Sequence, residues 1–345
     1  MTDRYDNSRS SHVTVLGAGS WGTAIAHLLA ENGHSVTLWD RNAALVEQIR
    51  AYHINSTYLP NITLPESIGA VNTMRDAFST KTEFVIVAVS SSGIRHVAAE
   101  MREHLTPNCI VVSATKGLEE DTGLTISQIV TMILNDATYG GLAVMSGPNL
   151  AKEVVQRIPT VAVSASDSIA VAHKAQRLLM TPHTFRVYTH NDVIGVELGG
   201  ALKNVLAIGA GISDGIGFGD NTKAALMTRG LMEMSQLGLA AGAKALTFLG
   251  LAGVGDLMAT AFSPLSRNYR VGLGLAQRKP LEAVLQEIGQ VAEGVPTAKA
   301  AILLARRYQT DIPLFETLHD VIYNGKSPSL AVNELMSRPA KDEFE

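Results

Sequence analysis

Gly17-Ala18-Gly19-Ser20-Trp21-Gly22 constrains this chain more than any other stretch. The run His12-Val13-Thr14-Val15-Leu16 before it reads as a buried strand, and residues 23–30 after it carry apolar side chains at helical spacing. Three glycines in a strand-to-helix turn are what a dinucleotide-binding turn requires. Gly17 allows the tight turn, Gly19 lets the backbone approach a pyrophosphate, and Gly22 lets helix and strand pack closely. The free N–H groups and positive dipole end of the helix then face the phosphates. A plain tight turn would also use glycine, and the flanking strand and helix favour the dinucleotide. The segment is not a P-loop, because the terminal Lys-Ser/Thr pair is missing.

A chain of 345 residues has room for two cores. With 46% hydrophobic and 17% charged residues it is an ordinary globular sequence, and a net charge of −4 offers no footprint for nucleic acid. The single cysteine, Cys109, lies in an apolar run and cannot form an internal disulfide, which fits a reducing compartment. Residues 1–11 are polar and without an apolar h-region, and stretches such as 245–255 are too short to span a bilayer. The expectation is a cytoplasmic protein without an integral membrane segment.

Strands are expected at 13–16, 35–40, 84–89, 109–114, 142–145, 160–164 and 185–187. Helices are expected at 20–32, 42–50, 93–104, 125–134 and 168–180. Beyond about 190 the strand-like runs stop, and Ala, Leu, Met and Gly recur at helical spacing. The fold class is therefore α/β: an N-terminal Rossmann-type, doubly wound parallel sheet followed by an all-helical C-terminal domain. The expected divisions are a mobile tail at 1–11, a cofactor domain at 12–190, a substrate-binding and catalytic domain at 191–338, and a polar tail at 339–345.

The second strand ends in Trp39-Asp40-Arg41. Asp40 stands where an acid would hold the ribose 2′-hydroxyl of NAD, whereas Arg41 could accept the 2′-phosphate of NADP. The two cues conflict, so the cofactor is NAD or NADP.

Hydride chemistry also needs a proton carrier and a substrate anchor. Lys203 lies in an otherwise apolar helix, where desolvation disfavours the ammonium and would suit a general base. The bland alternative is a lysine that reaches water at a helix edge. Asp256 is one carboxylate in an apolar, glycine-rich segment, and its charge would oppose that desolvation. Ser266-Arg267-Asn268 follows a turn and could clamp a phosphate, or Arg267 could be an ordinary surface arginine. The ten histidines show no metal-ligand spacing, so no metal is expected.

Eight ordered segments sharpen this picture: 17–24 GAGSWGTA, 113–117 SATKG, 146–148 SGP, 197–204 ELGGALKN, 211–220 GISDGIGFGD, 251–256 LAGVGD, 266–268 SRN and 293–297 EGVPT. Together they closely resemble bacterial NAD(P)-dependent glycerol-3-phosphate dehydrogenases. The resemblance implies reversible hydride transfer between C2 of sn-glycerol 3-phosphate and nicotinamide. Reduction of dihydroxyacetone phosphate would supply phospholipid synthesis. It implies Lys203 as proton acceptor, Lys116 and Asp256 at the substrate hydroxyl end, and Ser266, Arg267 and Asn268 on the phosphate. Gly147 and Asn149 fall at substrate positions, although the family commonly has Ser or Thr at the latter. Ser20, Trp21, Arg41, Lys116, Ala151, Arg267, Val291 and Glu293 fall at cofactor positions, joining Gly17, Gly19 and Gly22. Asn204 and Thr260 are further candidates, and a homodimer is the expected assembly. The rival is a 6-phosphogluconate or 3-hydroxyacid type of dehydrogenase, which shares the two-domain plan and can use a lysine.

Overall fold

The computed structural model describes residues 10–134, 138–340 and 342–343. Most of the expected tail at 1–11 and part of that at 339–345 lie outside the described residues. Ser11, the last residue of the first, is buried and donates its N–H to His34 Nδ1 at 3.2 Å.

Eight strands form one sheet: β1 (His12–Leu16), β2 (Ser35–Trp39), β3 (Ile68–Val71), β4 (Thr82–Val87), β5 (Ile110–Ser113), β6 (Leu142–Ser146), β7 (Thr160–Ala165) and β8 (Phe185–His190). Their spatial order is β8-β7-β6-β5-β4-β1-β2-β3. Val13, Val15 and Leu16 of β1 are all buried, as befits a central strand covered on both faces. Helices Ser20–Glu31, Ala43–Tyr52 and Ile169–Leu179 cover one face through Ile25, Leu29, Ile49 and Leu178. Helices Ile94–Met101 and Ile126–Ile133 cover the other through Ile94, Val97, Met101, Ile126 and Ile129.

Two features depart from the expected strands. The sheet is not wholly parallel, because β6 and β7 pair antiparallel. The connection at 147–159 forms a turn at Gly147 and a short helix, Ala151–Val155, packed on Ser20–Glu31. No crossover helix remains to carry the chain back for a parallel pairing. The edge strand β3 was also not expected, since Ile68-Gly69-Ala70-Val71 is too short and small-sided to stand out. A small hairpin pairs Ile54–Asn55 with Leu59–Thr63.

From Val193 onward every described strand or helix is helical. Val193–Gly215 is long and apolar enough, with mean hydropathy 1.4, to cross a membrane by length and composition alone. Here 89% of its most apolar 18-residue window is buried inside the protein, so it is the axial helix of the C-terminal core. Leu198, Leu202, Leu206 and Ile208 pack against Met234, Leu257, Val271, Leu304 and Phe315 from surrounding helices. The closest crossing is with Arg267–Ala276. A Cβ on Gly272 would lie 2.0 Å from the Ile208 carbonyl oxygen, and one on Gly211 would lie 2.0 Å from that of Tyr269. Glycine at both positions lets the two backbones touch.

Candidate active site

The glycine turn is built for a ligand that approaches the backbone. Gly17 has φ +107° and donates its N–H to the Trp39 carbonyl at 2.8 Å, which ties the turn to the end of β2. A Cβ on Gly22 would sit 1.9 Å from the Gly17 oxygen, whereas one on Gly19 would meet nothing within 4 Å. No side chain caps the start of Ser20–Glu31, and Trp21 Nε1 is buried without a hydrogen-bond partner. Open space over Gly19, uncapped N–H groups and an idle indole donor suit a pyrophosphate-bearing dinucleotide.

Lys203 is 5% exposed and Asp256 2% exposed. Lys203 Nζ donates to Asp256 Oδ1 at 2.8 Å and to Thr260 Oγ1 at 2.6 Å. Thr260 Oγ1 in turn donates to the Asp256 carbonyl at 2.7 Å, which fixes its rotor as an acceptor for the lysine. Two of the three positions on the amine are thereby used, and one remains for substrate. The buried amine is not a lysine reaching water at a helix edge. Burial, joined by the Lys116 and Arg267 charges, outweighs the raising effect of Asp256 and brings Lys203 down to about 8.

Lys116 reaches the same carboxylate from the sheet domain. Its Nζ donates to Asp256 Oδ2, to the Gly147 carbonyl and to Asn149 Oδ1, each at 2.9 Å. All three ammonium donors are occupied, so Lys116 acts here as a fixed positive charge. Burial would raise the Asp256 carboxyl, but the two ammonium groups overcome it and hold it below its ordinary range. Asn149 Nδ2 is buried with no hydrogen-bond partner beside Lys116, a donor available to a substrate oxygen.

The clamp residues begin the Arg267–Ala276 helix. Ser266 Oγ accepts from the Tyr269 N–H at 3.2 Å and so serves as the N-cap. Asn268 Nδ2 donates to Asn204 Oδ1 at 2.8 Å, and its Oδ1 accepts from the Gly294 N–H at 2.9 Å. Arg267 is half-buried at the helix N-terminus, and among the described residues it makes no salt bridge. The Glu293 carboxylate opposes the downward pull of burial on it. Glu293 itself accepts from the N–H of Ser91 at 3.0 Å and from its hydroxyl. Gln290, near Val291, bridges back to Ser20 Oγ at 3.5 Å.

Other candidates stand apart from this cluster. Arg41 and Val291 are exposed, and Ala151 starts the short helix on Ser20–Glu31. Among the described residues, no group of three or more His, Cys, Asp or Glu is gathered as a metal site would be.

Family models for the N-terminus and C-terminus of NAD-dependent glycerol-3-phosphate dehydrogenase match residues 12–172 and 192–333. The chain belongs to this family. It is 47% identical over 97% of its length to glycerol-3-phosphate dehydrogenase [NAD(P)+] of Geobacter sulfurreducens, 99% of which is covered. The Bacillus subtilis enzyme of the same name is 46% identical over 96% of each chain. The crystal structure of glycerol-3-phosphate dehydrogenase from Coxiella burnetii superimposes with TM-score 0.90 at 36% identity, covering 95% of this chain and 99% of that one. A D-mandelate dehydrogenase at 10% identity and TM-score 0.61 shares the fold alone. The rival dehydrogenase class is thus not favoured.

Within this glycerol-3-phosphate dehydrogenase fold, two contributors escaped the sequence reading. Ser91 holds Glu293 across the two halves, and Glu197 accepts from the Ser127 N–H at 2.7 Å in the same manner. Ser91 carries no motif, and Glu197, although it opens the 197–204 segment, was given no role there, since a glutamate in an apolar helix has many uses. Only the buried glutamate, costly unless paired, was a signal.

Proposed function

We propose that the chain catalyses reversible NAD(P)-dependent oxidation of sn-glycerol 3-phosphate to dihydroxyacetone phosphate, with Lys203 as the proton carrier. The observation that carries this reading is the buried Lys203–Asp256–Lys116 group, with one amine position left open. A dinucleotide held at the Gly17–Gly22 turn would supply the hydride acceptor or donor for C2. Arg267, with the free N–H groups at the start of its helix, anchors the substrate phosphate, so binding energy remote from C2 orients the reacting carbon. Neutral Lys203 Nζ accepts the C2 hydroxyl proton in oxidation, and its ammonium returns a proton to the carbonyl oxygen in reduction. Asp256 and Thr260 aim the amine, and Lys116 fixes Asp256 from the other domain.

The cofactor contacts are Gly17, Gly19, Ser20, Trp21 and Gly22 at the turn. Arg41, Ala151, Val291 and Glu293 are the further cofactor contacts in this reading. Residues 12–190 form the cofactor domain and 191–338 the substrate domain. The reading extends to a cytoplasmic homodimer that supplies glycerol 3-phosphate to phospholipid synthesis. The single cysteine suits a reducing compartment, and exposed Leu246, Leu249, Met258 and Phe262 offer apolar surface for a partner copy. Light scattering should return twice the 36.7 kDa chain mass.

The deciding assay is dihydroxyacetone phosphate reduction followed at the reduced-nicotinamide absorbance. Lys203→Ala should lower kcat by about a hundredfold or more, while fluorescence titration shows the cofactor still bound. Near-normal turnover in that variant would remove Lys203 from the mechanism.

A further inference from the structure

Asp40 and Arg41 are adjacent in sequence and opposite in charge, and the fold treats them very differently. The Asp40 N–H donates to the Val71 carbonyl at 3.1 Å, which anchors its backbone to the edge strand. Its Oδ2 accepts from the Ala18 N–H inside the glycine turn at 2.9 Å, and its Oδ1 accepts from the Asn42 N–H at 2.9 Å. The carboxylate is therefore held at one oxygen by the glycine turn and at the other by the residue that caps the next helix. An ionised carboxylate has about four lone-pair sites, so two N–H donors leave it able to accept from hydroxyl groups. Arg41, by contrast, projects into solvent.

We infer that Asp40 sets coenzyme choice in this chain, favouring the dinucleotide with a free adenosine ribose 2′-hydroxyl over the one with a 2′-phosphate. The inference rests on the dinucleotide reading of the site. A ribose hydroxyl donates to the fixed carboxylate. A 2′-phosphate brings two negative charges and no donor to the same place, and like charges so juxtaposed repel. Arg41 would have to be ordered out of water to compensate, and exposed ion pairs return little for that ordering.

The test compares NADH with NADPH, both as kcat/KM in dihydroxyacetone phosphate reduction and as direct binding by fluorescence titration. The wild type should favour NADH by about tenfold or more. Asp40→Ser and Asp40→Asn should shrink that ratio by about tenfold, a change of about 1.4 kcal/mol. A wild-type ratio at or below one overturns the inference. So does a ratio within twofold of wild type in both variants, or a larger shift from Arg41→Ala than from Asp40→Ser. The wild-type ratio decides even where an Asp40 variant does not fold. If neither coenzyme supports reduction but NADH still binds tighter, the substrate reading fails and the role of Asp40 stands.

Discussion

Lys203 draws its chemistry from two opposing effects on one nitrogen. Burial strips water from the ammonium, and a carboxylate 2.8 Å away restores part of what was lost. Burial wins, leaving the amine at about 8 instead of its ordinary 10.5, so both protonation states are populated near neutral pH. The sign of the pH dependence follows from which state each direction needs. Oxidation needs the neutral amine, so kcat/KM for glycerol 3-phosphate should rise with pH through about 8. Reduction needs the ammonium, so kcat/KM for dihydroxyacetone phosphate should fall through the same midpoint. Asp256→Asn removes the charge that raises the amine and should move both midpoints to lower pH. Rate profiles with the same slope in both directions would contradict this assignment.

At the level of elements, the site depends on how closely two helices cross. Val193–Gly215 carries Lys203 and Asn204, and Arg267–Ala276 carries Arg267 and Asn268. The Asn204–Asn268 hydrogen bond at 2.8 Å exists because Gly211 and Gly272 let the backbones meet. Gly272→Ala forces a Cβ to within 2.0 Å of a carbonyl oxygen, too close for any rotamer to relieve. The cost should be about 1–3 kcal/mol of stability from overpacking, measured by denaturant unfolding. An unchanged midpoint would mean that the crossing is looser than it stands here. Gly211 was legible as part of a family motif and Gly272 was not, and neither was legible as packing, since the contact joins residues about sixty positions apart in sequence.

On the scale of the molecule, the two halves are joined by buried polar links as well as apolar contact. Lys116 meets Asp256 across 140 residues, Ser91 meets Glu293 across 202, and Ser127 meets Glu197 across 70. Burial pushes the Glu197 carboxyl up, while the N–H and hydroxyl of Ser127 work against that. Glu197→Ala leaves the Ser127 N–H buried without a partner, which should cost about 1–3 kcal/mol in chemical unfolding. A variant as stable as wild type would show that solvent reaches the junction.

The sequence by itself determined what depends on near neighbours. The glycine turn, its strand and helix, and the switch from sheet to helices were legible because backbone geometry and side-chain periodicity are set within a few residues. The glycerol-3-phosphate dehydrogenase motifs were legible because their order survives without coordinates. Tertiary structure alone decided the rest. It turned β7 antiparallel by using the 147–159 connection for a turn and a short helix. It made Ser266 a helix cap and filled every donor of Lys116. It also fixed the direction of the Lys203 shift, which the sequence left open between desolvation and Asp256. Burial and Coulomb effects depend on distances in space, and here those distances join residues that the chain keeps 53 and 140 positions apart.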